Sequence, residues 1–167
     1  MGLPDKIVSS ARAQIGTKYV ADYVSLQYPG GDVPKNTGAC TDVVIRALRS
    51  AGIDLQKLIH EDMAKNFGAY PRKWGLRRPD PSIDHRRVPN LRVCFTRKGW
   101  ALGKSAPFLP GDLVTWDLPG GLTHIGIVSD RKNARGVPLI LHNIGPVASE
   151  ADCLRAWPIT GHFRVKV

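Results

Sequence analysis

Acidic residues are in short supply: 24 lysines and arginines face only 14 aspartates and glutamates, a formal charge of +10 over 167 residues. A surface of that sign favours polyanionic partners, whether nucleic acid, an anionic membrane face or an acidic cell-wall polymer. Cysteine is scarce too. Cys40, Cys94 and Cys153 form no Cys-x-x-Cys pair and leave one thiol over, which argues against a disulfide framework and a cysteine-built zinc site. No apolar run approaches the roughly 18 residues of a membrane span. Neither an internal repeat nor a low-complexity tract is present.

What remains is an ordinary globular composition, 43% hydrophobic and 23% charged, which excludes a disordered chain. Its length suits a single domain over 1–167, since domains run to roughly 100–200 residues. Seventeen glycines and thirteen prolines exclude a long helical bundle. The positive charge is local: residues 71–104 hold ten lysines and arginines against Asp80 and Asp84. Either a polyanion meets this stretch, or it is a solvated arginine-rich loop.

Ile7, Val8, Ala11 and Ile15 lie on one helical face within residues 4–15, ahead of Gly16. The spacing predicts a second helix from Cys40 to Ser50, closed by Gly52, and a third over 54–67. Pro71, Pro79, Pro81 and Pro89 predict no long element in residues 68–110. From residue 111 the period changes. Strands are expected at 112–116, 123–128, 138–143 and 159–167, with turns at Pro119-Gly120-Gly121 and Arg135-Gly136. Helices followed by an antiparallel sheet make the fold class α+β, with 53–110 as a basic, proline-rich insertion.

Cys40 opens a helix, where unsatisfied N–H groups and the helix dipole favour a thiolate and the Cys40 N–H is placed as an oxyanion donor. A base is needed, and His124 heads the strand after the Gly120-Gly121 turn. A third group must orient the imidazole. His142 and Asn143 close the next strand, and alternation lets only one of them face the site.

Gly38-Ala39-Cys40-Thr41-Asp42-Val43-Val44, Gly111-Asp112-Leu113-Val114-Thr115-Trp116, His124-Ile125-Gly126-Ile127-Val128 and Leu141-His142-Asn143 resemble the NlpC-type branch of the papain-like cysteine peptidases. Tyr28-Pro29-Gly30-Gly31 is similar to that branch's Tyr-x-x-Gly-Gly segment. Longer phrases, among them Ile83-Asp84-His85-Arg86-Arg87-Val88-Pro89-Asn90, resemble one uncharacterised bacterial domain family of the same superfamily along nearly the whole chain. The resemblance implies a papain-like fold and cleavage of an amide or peptide bond in bacterial peptidoglycan without a cofactor. By position it makes Cys40 the nucleophile, His124 the base, His142 the third polar residue with Asn143 in reserve, and Tyr28 a site-lining residue. Those peptidases carry an Asp before the cysteine that binds a substrate amine. Here that position is Ala39, leaving Asp42 as the nearest acid, alongside its simpler place as a first-turn residue.

Arg86 and Arg87 are candidates for gripping an anionic substrate group, or for local ion pairs. His60-Glu61-Asp62 and Asp84-His85 lack an established metal-ligand spacing, so no metal is expected. His162 reads as structural, and the four tryptophans as core or cleft packing. Two other functions fit the residues: a basic module binding nucleic acid or a wall polymer without catalysis, and an acyltransferase on the same scaffold. A wall enzyme of this kind is expected in the periplasm or outside the cell, its export signal removed, or in the cytoplasm before delivery as a toxin. The first residues show no charged region followed by an apolar stretch.

Overall fold

Helix α1 (Leu3–Ala13) begins with Pro4 and Asp5, where a missing N–H costs nothing and a negative charge meets the positive helix end. Its face of Ile7, Val8 and Ala11 is buried. The chain then pairs β1 (Lys18–Tyr19) with β2 (Thr37–Gly38) in parallel and enters α2 (Cys40–Ser50), whose bounds are those of the periodicity. Asp54 caps α3 (Leu55–Asn66), its carboxylate accepting the Gln56 and Lys57 N–H groups. The computed structural model describes residues 1–167.

The proline-rich stretch holds a helix that its sequence does not announce. Helix α4 (Val88–Arg97) places Pro89 in its first turn, the one part of a helix where proline costs no hydrogen bond. It buries Val88, Leu91, Cys94 and Phe95. The preceding turn, Asp84–Arg86, is buried throughout despite its charge.

Five strands follow: β3 (Leu113–Asp117), β4 (Thr123–Lys132), β5 (Pro138–His142), β6 (Ser149–Ala151) and β7 (Ile159–Phe163). They form an antiparallel sheet in the order β6-β5-β4-β3-β7. β4 runs four residues past its expected end, β7 stops at Phe163, and β6 is unexpected because Ser-Glu-Ala carries no strand signal. The helices cover one face, where Leu113, Ile125, Ile127, Leu141 and Phe163 join the main core. Val114, Trp116, Val128 and Ile140 form a smaller core on the other face, closed by Leu154. Trp116 sits opposite His124 and Val114 opposite Gly126, so these four share that second face. No helix is long and apolar enough to cross a membrane.

Candidate active site

Cys40 is the first residue of α2, after Ala39 in extended geometry. Three backbone N–H groups favour its thiolate, those of Ile125, Thr41 and Cys40 itself. Burial outweighs them and pushes the thiol up to about 11, so the helix start does not by itself yield the lowered pKa expected of it. The contact with the Ile125 N–H brings the sulfur against the first residues of β4, one peptide bond from His124. Thiol and imidazole share no hydrogen bond: Cys40 belongs to the core on the helix-covered face of the sheet, whereas His124 and His142 lie with Trp116 on the other face, so the sequence-expected pair is not brought together in this arrangement.

His124 is held on all sides by rings. It stacks on Trp116 at 5.4 Å between centroids, meets Trp157 edge-on at 5.7 Å and His142 at 5.0 Å. Its Nε2 lies 2.7 Å from His142 Nδ1, which leaves Nδ1 as its other polar atom. Burial, with His142 adding to it, holds His124 down at about 3, and burial also lowers His142. Both histidines are therefore neutral near pH 7. Cys153 completes the row, with Sγ 3.7 Å from His142 Nε2.

Gly126 makes the row possible. A Cβ there would come within 2.7 Å of Ile140 Cγ2, 3.2 Å of the His142 Cβ and 3.3 Å of the Trp116 ring. The Gly two places after a strand histidine is the sequence signal for this close approach.

Other expected residues are engaged elsewhere. Asn143 is fully buried and donates Nδ2 to the carbonyls of Thr17 and Gly38, while its Oδ1 accepts the Gly145 N–H; it makes no contact with His124. Tyr28 packs its ring 4.7 Å from His60 and does not line the cleft of Cys40; Tyr19 does, a residue the motif did not single out. Asp42 caps its own helix, accepting the Ala39 N–H at 2.7 Å, and takes a two-pronged grip from Arg86 at 2.9 and 3.1 Å. Both side chains are 3% exposed, so Asp42 is not open to a substrate amine. His162 pairs with Asp112 at 2.7 Å, which Arg164 also holds.

Cys40 opens onto a cleft of about 320 Å³ whose walls include Tyr19, Thr41, Trp74, Arg87 and Leu122. Trp74 and Arg87 come from the insertion, which therefore forms one wall. No group of three His, Cys, Asp or Glu side chains converges to hold a metal ion.

A family model described as a domain of unknown function (DUF1287) matches residues 8–165. Over 163 residues the chain is 55% identical to "Uncharacterized protein YijF" of Escherichia coli (strain K12), covering 95% of this chain and 80% of that one. NlpC1 from Trichomonas vaginalis superposes with a TM-score of 0.55 at 17% identity, over 96% of this chain and 43% of its own. A Staphylococcus aureus protein described as similar to lipoprotein, NLP/P60 family, gives 0.52 at 16%, over 99% and 42%. An N-acetylmuramoyl-L-alanine amidase from Bacteroides uniformis gives 0.52 at 15%, over 98% and 99%. The chain spans less than half the length of the first two structures. At these identities the likeness is one of fold: an NlpC-type, papain-like α+β arrangement.

Proposed function

Because the chain belongs to the DUF1287 family and folds as an NlpC-type papain-like protein, we propose that it is a cysteine amidohydrolase cleaving an amide or peptide bond of bacterial peptidoglycan. Cys40 is its nucleophile, His124 its base and His142 the group that orients the imidazole. The observation that carries this reading is the 2.7 Å pair of His124 Nε2 and His142 Nδ1, one peptide bond from the N–H that meets the Cys40 sulfur.

The chemistry follows from proton positions. With its proton on Nε2, directed at His142, His124 has a bare Nδ1 and can accept a proton. The step requires the His124 ring, at the strand end, to reach Cys40 from the other face of the sheet; the Cys40 proton then passes to Nδ1 as the sulfur bonds to the substrate carbonyl carbon. The Cys40 N–H lies beside the oxygen that becomes negative. Nδ1 then protonates the departing nitrogen, the C–N bond breaks and a thioester remains. Water gives a proton to Nδ1, attacks the thioester and frees the acid, and the proton returns to sulfur. With thiol and imidazole both neutral at rest, the proton moves during attack rather than before it.

A wall substrate places the protein outside the cytoplasm when it acts. Mass spectrometry of muropeptides after incubation with the wild type, Cys40→Ala and His124→Ala identifies the bond. New fragments with the wild type alone are expected. Identical fragments from Cys40→Ala rule the nucleophile out.

A further inference from the structure

The cleft beside Cys40 has no carboxylate in its wall. Its charged lining is Lys73, Arg86 and Arg87, all from the insertion. Arg86 is committed, since Asp42 takes Nε and Nη2 and the Asp22 carbonyl takes Nη1. Arg87 is not. No carboxylate oxygen lies within 4 Å of it, and its Nη1 is shut off from solvent without a hydrogen-bond partner. Asp84 is the acid that acts on it most strongly, yet its Oδ2 accepts the Asp80 N–H, its buried Oδ1 has no partner either, and it forms no ion pair with Arg87. Lys73 is exposed and likewise makes no ion pair.

A guanidinium nitrogen that has lost water and gained no acceptor is destabilising where it stands. Arg87 nevertheless has an ordered place. Its Cζ sits 4.3 Å from the centroid of the Trp74 ring. Stacking fixes the guanidinium plane and leaves the edge formed by Nε and Nη2, neither bonded nor shut off as Nη1 is, for a planar anion, which a carboxylate matches with two parallel hydrogen bonds. The cleft, at about 320 Å³, has the size of a small-ligand site.

We propose that Arg87, stacked on Trp74 and assisted by Lys73, is the receptor for a free carboxylate of the substrate peptide. The site thus selects wall peptides that carry a carboxylate close to the bond attacked by Cys40. This rests on the reading of the chain as a wall-peptide hydrolase and names the substrate group that such an enzyme recognises.

The test separates binding from turnover. Muropeptides released from purified peptidoglycan by a muramidase form one pool, and the same pool with its carboxyls coupled to methylamine forms the second. Each is titrated calorimetrically into Cys40→Ala protein. The carboxylate pool is expected to bind at least about tenfold more tightly, the scale of one charge-assisted hydrogen bond. Adding Arg87→Gln brings the pools within about twofold, and Arg87→Lys, which keeps the charge without the fork, falls between. Lys73→Gln, at an exposed position, narrows the preference without touching the core, and carries the test should the Arg87 variants fail to fold. Equal affinity for the two pools, no binding of either, or a preference unchanged by these substitutions overturns the proposal. Cleavage is scored separately. A wild type that binds the carboxylate pool selectively yet cuts nothing refutes the hydrolase reading and leaves the carboxylate site standing.

Discussion

His142 presents its Nδ1 to His124 Nε2 at 2.7 Å, with the two ring planes inclined at 63°. One proton serves that contact, so the direction of the bond decides whether His124 can act as a base. His142→Ala is expected to lower kcat/KM on muropeptides by about a hundredfold, within the range of general-base assistance. His142→Asn, which keeps an acceptor oxygen, retains more activity. If the two variants lose equally, His142 does not orient the imidazole.

The resting thiol gives a second prediction. Burial pushes Cys40, Cys94 and Cys153 each up to about 11. Alkylation of Cys40 by iodoacetamide is therefore slow at neutral pH and climbs about tenfold per pH unit towards pH 10, following the thiolate fraction. A rate that is already flat from about pH 6 upward shows a preformed thiolate–imidazolium pair and contradicts the proton order given above.

Stability depends on pH through the buried histidines. His85 is held down at about 4 and His124 at about 3, from an ordinary value of 6.5, both chiefly by burial, and His142 is lowered as well. Below pH 6.5 the unfolded chain protonates these rings while the folded one does not. The folded state binds fewer protons, so stability falls as pH drops from 6.5 towards 3. Asp84 acts oppositely: burial raises it to about 6, so it gives back part of the loss between pH 6 and 3.8. Three histidines outweigh one aspartate. Calorimetry should show Tm level from about pH 7 to 8.5 and lower by several degrees near pH 5. A constant Tm across that acid range contradicts neutral burial of the histidines.

Gly126→Ala tests whether the row of rings needs an empty position. The added methyl meets the Ile140 side chain at 2.7 Å and the His142 Cβ at 3.2 Å, so His142 must shift. Overpacking of this kind costs about 1–3 kcal/mol. Urea unfolding should report a loss of that size, while muropeptide cleavage falls by a larger factor than stability alone explains. Full activity in a destabilised protein would separate Gly126 from the site.

Asp42→Asn removes one charge of a pair whose side chains are 3% exposed and leaves Arg86 without its counter-ion. Breaking such a pair costs about 3–5 kcal/mol. Asp42→Asn with Arg86→Gln should recover part of that loss, as a double-mutant cycle in urea can measure. Strict additivity of the two single changes means that the pair is not coupled.

Local periodicity made much of this molecule legible. The apolar face of Cys40–Ser50 and the alternation after residue 111 place Cys40 and both histidines on the elements they occupy. Helix α4 is not legible in the sequence because Pro89 reads as a breaker, although a first-turn proline starts helices as readily as it ends them. Tyr28 and Tyr19 could not be ranked by spacing to Cys40, since only the parallel pairing of β1 with β2 carries Tyr19 back to the cleft. Arg86 and Arg87 are neighbours of one chemistry in the sequence. Burial separates them, giving one a carboxylate and the other an indole face.

The Asp42–Arg86 clamp ties residues 84–87 to the start of the Cys40 helix. Asp42 is at once the acid that closes the first turn below Cys40 and the anchor for the residue next to Arg87. Replacing residues 84–87 by a loop from another protein would therefore do more than redraw one wall of the cleft. It would strand a buried carboxylate beneath Cys40 and loosen the turn that carries it.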